Sequence, residues 1–482
     1  MRRIARPALG IAVAALLVVG CSAGDGPDIG LPAAANPPAT TAPATTEAEV
    51  ESPSTLASRA TSTTRGPATT ADADDVALAY VGAEDSGVAA SSGPAVQPVV
   101  LGYVNEEGGT RSFPEATLGA QAAVDYVNTV LGGVQGRPLE LRPCAVVTAG
   151  DGERCAARLA ADPDVNVVLA GVISREGLGG PLLAGLRGRK PVVLANPLTT
   201  GEFVADDAYA FTPGAPGVIQ GMSVFAARYL PAGRPTLILV AHADTAPGRA
   251  AYTGLARPAL DALGVPSVGV PVREGASAEQ VAATIAQAGA TATTAVVVLT
   301  PLAGCVAVSG ALRQVALDVP VVASQLCRGR AMADHAAALG TPGEVPDGWY
   351  FGGTGFSYSI PGNPEIDAYM STITDYAQEH GLAGLDPAGF AGPTYGSVLA
   401  IVRLMNGMPG GVTTPAQARE AIRSFRGPMW GVVGPMACGL NTSFPALCGV
   451  QVGIQRYVDG QWVSVRDGAN GRPIDPRQEL VP

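Results

Sequence analysis

The 482-residue chain is poor in the residues that usually announce chemistry. It has one lysine, Lys190, and three histidines, His242, His335 and His380. No C-x-x-C pair occurs, and no histidine keeps zinc-ligand spacing with a cysteine, which argues against a closed zinc site. G-x-S-x-G, H-E-x-x-H and G-x-x-x-x-G-K-[ST] are all missing, so nothing marks a nucleophile elbow, a zinc protease or a phosphate-binding loop. No histidine is placed by signature beside Ser174 or a cysteine. An envelope hydrolase would need a triad assembled from distant residues, so the reading is not an enzyme, with no catalytic residue, metal or cofactor assigned. Beyond the first twenty residues no apolar run is long enough to span a bilayer.

The N-terminus carries arginines at positions 2, 3 and 6, then an apolar run from Leu9 to Val19, then Val18-Val19-Gly20-Cys21. A basic start, a short apolar stretch and small residues before a cysteine form an export signal over 1–20. The four residues resemble a bacterial lipobox, which implies lipidation of Cys21 and a chain exported and anchored to the outer face of the bacterial cell membrane. An ordinary signal peptide with an incidental cysteine is the alternative.

Residues 21–97 are dominated by alanine, threonine, proline, serine and glycine, as in "AAANPPATTAPATTEAEVESPSTLASRATSTTRGPATTADADD". Such a stretch has little apolar area to offset chain entropy and is expected to be a disordered tether, roughly 50 Å from end to end as a coil. Ten acids (Asp25, Asp28, Glu47, Glu49, Glu51, Asp72, Asp74, Asp75, Glu84, Asp85) stand there against Arg59 and Arg65, so the tether holds −8 of the chain's net −11. The acidity therefore says little about a binding site, and nothing suggests nucleic acid.

Six further cysteines are an even number in an oxidising compartment. Sequence neighbours close the shortest loops, so the expected disulfides are Cys144 with Cys155, Cys305 with Cys327, and Cys438 with Cys448; a metal site or a reactive thiol is the alternative.

From Pro98 onward apolar runs alternate with amphipathic ones. "VVLGYV", "LELRPCAVV", "VNVVLAGV" and "KPVVLANP" read as strands, separated by helices at Glu115 to Val130, "GERCAARLAAD" and "GGPLLAGLRGR". "PTLILVAHA", "PSVGVPV", "TAVVVLT" and "VPVVASQL" repeat the rhythm with "RAAYTGLARPALDALG", "AEQVAATIAQAGA" and "VAVSGALRQVA" between them. Strands apolar on both faces, alternating with helices, define an α/β class with mostly parallel sheets. Ligands of such sheets sit beyond the carboxyl ends of the strands. Ser174, Thr199 and Thr200 end adjacent strands and are expected to face one crevice.

The order of "LGYVNEEGG", "LGAQAAVDYVNTVLGGVQGRPLEL", "VVLAGVISREG", "KPVVLANPLTT", "YAFTPGAPGVIQGMSVFAARYL" and "AGPTYGSVLAIVRLM" resembles the type I periplasmic binding proteins, within them the branched-chain amino acid and amide substrate-binding subfamily of ABC importers. The resemblance implies two α/β lobes, each a mostly parallel sheet flanked by helices, joined by three hinge crossovers. Lobe 1 would take about 99–217 and 354–431, and lobe 2 about 218–353 and 432–482. It further implies a small-molecule ligand gripped by both lobes and an ABC transporter permease as partner. The same fold could instead signal to a regulatory partner.

In amino-acid binders of that family a serine and a threonine at the first-lobe strand ends hold the ligand carboxylate. Ser174 matches the serine, and Thr199 or Thr200 the threonine; helix capping is the other role open to them. The ammonium side departs from the pattern: Pro216 or Gly217 stands where an aspartate is expected, Gln325 where a glutamate is expected, and Ala246 or Pro247 replaces a tyrosine. A buried ammonium would lack its paired charge, so a neutral or anionic polar solute is expected rather than a free amino acid. Further candidates are Tyr103 and Asn105 at the first strand end, Arg111 and Phe113 in the loop above it, His242, Asp244 and Thr300 at second-lobe strand ends, and the aromatic stretch Tyr350 to Phe356.

Overall fold

A strand that is apolar on both faces must be covered on both sides, and the chain meets that demand twice. The structure, a computed structural model, describes residues 73–82, 97–340, 343–354, 363–408, 414–431, 434–465 and 473–480. Met1 to Gly20 and Cys21 lie outside them. A short helix, α1 (Ala73–Val81), comes first. Then follow β1 (Val99–Glu106), α2 (Pro114–Thr129), β2 (Leu139–Val146), α3 (Ala149–Ala161), β3 (Val165–Val172), α4 (Glu176–Leu186), β4 (Val192–Asn196), α5 (Thr200–Val204) and β5 (Ala208–Tyr209). The five strands form one parallel sheet in the order β2-β1-β3-β4-β5. Alternate residues of β1 serve opposite cores: Leu101 and Tyr103 pack with α2, Val100 and Val104 with α3 and α4.

The second sheet repeats the scheme. It comprises α6 (Gly214–Arg228), β6 (Leu237–Ala243), α7 (Ala246–Ala250), α8 (Arg257–Ala262), β7 (Ser267–Val272), α9 (Ala278–Gln287), β8 (Thr294–Leu299), α10 (Leu302–Gln314), β9 (Val321–Ser324), α11 (Arg330–Ala338) and β10 (Tyr350–Gly353). Its parallel part runs β7-β6-β8-β9-β10, which in order of appearance is again 2-1-3-4-5. The chain then returns to the first sheet with α12 (Pro364–Glu379), α13 (Gly392–Asn406), α14 (Pro415–Ser424) and the small antiparallel pair β11 (Arg426–Pro428) and β12 (Pro435–Ala437). α12 and α13 cover α2. Two antiparallel strands, β13 (Gly453–Val458) and β14 (Gln461–Ser464), finish the second sheet, and α15 (Pro476–Glu479) packs on α6. Three passages thus join the two sheets.

The last passage falls later than the boundary near 431 read from the sequence. Met436, Cys438 and Cys448 belong to the core over the first sheet, and Ala446 and Leu447 to its opposite face, so 434–448 stay with that sheet. The first and third passages run side by side: Ala210 N–H donates to Ala446 C=O at 2.7 Å, Cys448 N–H to Ala210 C=O at 2.8 Å and Gly449 N–H to Thr212 C=O at 3.1 Å. A Cβ on Gly449 would come within 2.4 Å of the Thr212 carbonyl carbon, so only glycine allows this approach. The three neighbouring cysteine pairs are joined, Cys144–Cys155, Cys305–Cys327 and Cys438–Cys448, the last beside this paired passage.

The expectation of a disordered tether over the whole of 21–97 is corrected by α1. Ala77 and Val81 are fully buried and Tyr80 nearly so, against α12 and α13. Tyr126 Oη donates to Asp74 at 2.6 Å, Asn406 Nδ2 to the Val81 carbonyl at 2.9 Å, and Trp430 N–H to Tyr80 Oη at 3.1 Å. The Arg403 guanidinium lies 5.0 Å over the Tyr80 ring, and burial pushes the Tyr80 phenol up to about 12. Asp74 and Asp75 suit the positive end of the helix, and Gly82 at φ 70° stops it. Removing the buried Tyr80 ring should cost about 2–4 kcal/mol. In urea unfolding, Tyr80→Ala and a chain starting at 97 should both unfold earlier than a chain starting at 65; coincident midpoints would show that α1 adds nothing.

Candidate functional site

A 2-1-3-4-5 sheet has its topological switch between the first strand and the third, and the crevice beyond those carboxyl ends is where a ligand can enter. In the first sheet the switch lies between β1 and β3, flanked by Glu106 and Ser174; in the second it lies between β6 and β8, flanked by Asp244 and Thr300.

β3 and β4 are neighbours, so Ser174 and Thr199 do end adjacent strands. Each, however, already holds an internal carboxylate. Ser174 donates to Glu106 Oε2 through its backbone N–H at 2.7 Å and its hydroxyl at 2.8 Å. The other oxygen, Oε1, receives Arg175 Nε at 2.9 Å and Nη2 at 2.8 Å. Glu106 is completely buried, whereas Arg175 keeps part of its guanidinium in solvent. Arg111, in the loop above, reaches the Ser174 hydroxyl at 3.5 Å.

Thr199 is the N-cap of α5, in a reciprocal box with Glu202. Glu202 Oε2 accepts from Leu198 N–H at 2.8 Å, Thr199 N–H at 2.9 Å and the Thr199 hydroxyl at 3.0 Å. Thr200 is exposed. Burial pushes the Glu202 carboxyl up to about 7; its hydrogen bonds to Leu198 and Thr199 pull the other way, and the nearby Glu176 carboxylate adds to the rise.

Other predicted residues brace the framework. Asn105 is buried, with Nδ2 donating to Phe113 C=O at 2.8 Å and Thr117 Oγ1 at 3.1 Å, and Oδ1 accepting from Val172 N–H at 3.0 Å. It ties the ends of β1 and β3 to the start of α2. Tyr103 Oη lies 3.2 Å from the same Thr117 hydroxyl. A Cβ on Gly171 would sit 2.8 Å from both Asn105 Oδ1 and Tyr103 Oη, which explains the glycine in that strand. Phe113, half-buried, meets Phe390 edge to face at 5.3 Å.

In the second sheet, His242 is buried, stacked on Tyr252 at 5.5 Å, with Nδ1 3.0 Å from Ala243 C=O. Asp244 pairs with Arg249 at 3.0 Å and Arg273 at 3.6 Å. Thr300 is buried 3.4 Å from the sulfur of Cys305. Gln325 opens a 3-10 turn, its amide packed where a Cβ of Gly353 would be. Beside it the buried hydroxyl oxygen of Ser324 has no hydrogen-bond partner among the described residues. Tyr350 and Phe351 are buried in β10, and 355–356 lie outside the described residues.

Glu106, Arg175, Glu202 and Ser324 do not stand out as site residues in the sequence. Only Glu202 was signalled, by the T-x-x-E spacing from Thr199. Two surface hollows lie elsewhere, one lined by Pro231, Arg313, Pro320, Trp349 and Arg456, the other by Arg187, Asp206, Tyr209, Arg419 and Cys438; neither touches Ser174 or Thr199. Among the described residues no cluster of His, Cys, Asp or Glu is arranged to hold a metal, and no helix is long and apolar enough to cross a membrane.

No described protein family matches the sequence, and no curated protein does. Solved structures do. An ABC transporter substrate-binding protein from Desulfitobacterium hafniense in complex with Leu aligns over 77% of this chain and 100% of its own, at 14% identity and a TM-score of 0.56. A leucine-binding protein from Thermotoga maritima aligns over 79% and 99%, at 15% identity and 0.54. A fatty acid ABC transporter substrate-binding protein from Thermomonospora curvata aligns over 82% and 97%, at 16% identity and 0.55. The chain has the two-lobed type I periplasmic binding protein fold, as its sequence order suggested.

The position of Glu202 carries a pH dependence. Its folded value near 7 exceeds the ordinary 4.5, so between about 4.5 and 7 the folded state holds a proton that the unfolded chain has released. Stability should therefore fall as pH rises through that window, by up to about 3 kcal/mol. Glu202→Gln keeps an acceptor oxygen without the charge. Its melting temperature should exceed that of the wild type at pH 8 and converge with it at pH 5, as calorimetry would show; parallel curves at both pH values would place the proton elsewhere.

Proposed function

We propose that the chain is an extracytoplasmic solute-binding lipoprotein that captures a small polar molecule between two lobes and delivers it to an ABC importer. The observation that carries this reading is the repetition of one strand order in two sheets joined by three passages. Each sheet contributes a switch point, and a solute touching both edges is what can shift a hinged pair between open and closed populations. The proteins of like fold from Desulfitobacterium hafniense and Thermomonospora curvata, which are ABC transporter substrate-binding proteins by description, support the import reading. The export signal and Cys21 support a lipid anchor.

On the second lobe the groups suited to a neutral polar solute are the Ser324 hydroxyl, which has no hydrogen-bond partner among the described residues, and the Gln325 amide. A free α-ammonium would find no dedicated carboxylate at Gln325, Pro216 or Gly217.

A thermal-shift screen of amides, amino acids, organic acids, polyols and sugars should find a stabilising solute, since a ligand at a hundred times its Kd adds about 2.7 kcal/mol. Ser324→Ala should weaken that solute's effect. A screen with no stabilising compound would count against solute capture. Metabolic labelling with a fatty acid should mark the wild type and leave Cys21→Ala unmarked; equal labelling would remove the anchor.

A further inference from the structure

The strand-end donors of the first sheet form a seat for a carboxylate. A backbone N–H and a hydroxyl of Ser174 converge at 2.7 and 2.8 Å on one oxygen, just before the start of α4, while Arg175 takes the other oxygen through two nitrogens. Donors of this kind, close to the positive end of a helix, favour an anion. The seat is filled by the chain itself. Glu106 enters it from β1, across the switch point, with no exposed surface.

We propose that Glu106 is a specificity-determining residue, a built-in occupant that closes this seat to solute carboxylates and restricts the site to solutes without one. The proposal rests on the solute-binding reading above and narrows its ligand class.

The physical reason is competition for the same few donors. A buried carboxylate is tolerated only while it is paired and hydrogen-bonded, so Glu106 cannot surrender Ser174 and Arg175 to a solute without being stranded. Nor can two carboxylates share the seat, because like charges at contact distance in a buried site repel strongly. The neighbouring seat is filled in the same way, with Glu202 on Leu198 N–H, Thr199 N–H and the Thr199 hydroxyl. The Ser174 and Thr199 hydroxyls are thus both committed to internal carboxylates.

The test is replacement of the occupant by a free one. In the full chain, Glu106→Ala vacates a space of about the size of acetate. Millimolar acetate or formate should then raise the folding equilibrium constant of Glu106→Ala by about tenfold or more, leave the wild type unchanged, and fail to rescue the double variant Glu106→Ala/Ser174→Ala. No acetate effect on a folded Glu106→Ala would overturn the proposal.

Ser174→Ala in the otherwise native chain gives an independent reading should Glu106→Ala not fold. If its hydroxyl serves Glu106, the ligand-free protein should lose about tenfold in its folding equilibrium constant. If the hydroxyl is kept for a solute, that constant should hardly change, and the proposal fails.

The solute screen separates this idea from the one beneath it. Stabilisation of the wild type by a carboxylate solute, abolished by Ser174→Ala, would refute the role of Glu106 and keep solute capture. Acetate rescue of Glu106→Ala with no solute stabilising the wild type would uphold Glu106 as the occupant and remove solute capture. Stabilisation by uncharged solutes alone, together with rescue, supports both.

Discussion

The carboxylate of Glu106 is the constraint on which the first sheet's switch-point edge depends. A charge at the buried end of a strand is costly unless every oxygen is met, and here the following elements are arranged to meet it. Ser174 must leave β3 with its N–H turned toward β1, and Arg175 must lie against the same carboxylate before α4 begins. Asn105, one residue earlier, fastens the end of β1 to β3 and to α2. Side chains with the look of a ligand shell thus hold the shell's walls together, whereas the Ser324 hydroxyl, which has no hydrogen-bond partner among the described residues, ends a strand of the other sheet.

Closure of two lobes over a solute needs a hinge that bends without losing its path. The first and third passages supply a paired ribbon, Ala210 to Pro213 beside Ala446 to Gly449, in which glycine permits an approach that any side chain would block. Cys438–Cys448 fixes the foot of that ribbon to the first sheet's core. In the proposed closure, bending would fall to the few residues after Gly449 and around the start of α6.

Much of this was legible in the residues. Valine-rich runs alternating with amphipathic stretches specify parallel strands and covering helices because burial on both faces leaves little choice, and "VVLGYV" and "VNVVLAGV" lie where β1 and β3 do. Cysteines close in sequence found each other for want of long loops to close. What stayed hidden depends on contacts across long separations. Glu106 in "VNEEGG" reads as a loop acid, since its partner Ser174 is sixty-eight residues away. α1 is masked by the alanine- and threonine-rich chain before it, although Asp74 and Asp75 ahead of Ala77, Tyr80 and Val81, with Gly82 behind, spell a short capped helix. The stretch 434–448 has no period to read, and only its packing assigns it to the first sheet.

The most direct measurement is a crystal structure of the solute-bound protein, with the bound solute identified in the density. The expected result is a solute lodged between the two sheets' switch points, near Ser324 and Gln325, with Glu106 still seated on Ser174 and Arg175. A solute carboxylate on the Ser174 N–H and hydroxyl, with Glu106 swung away, would contradict it.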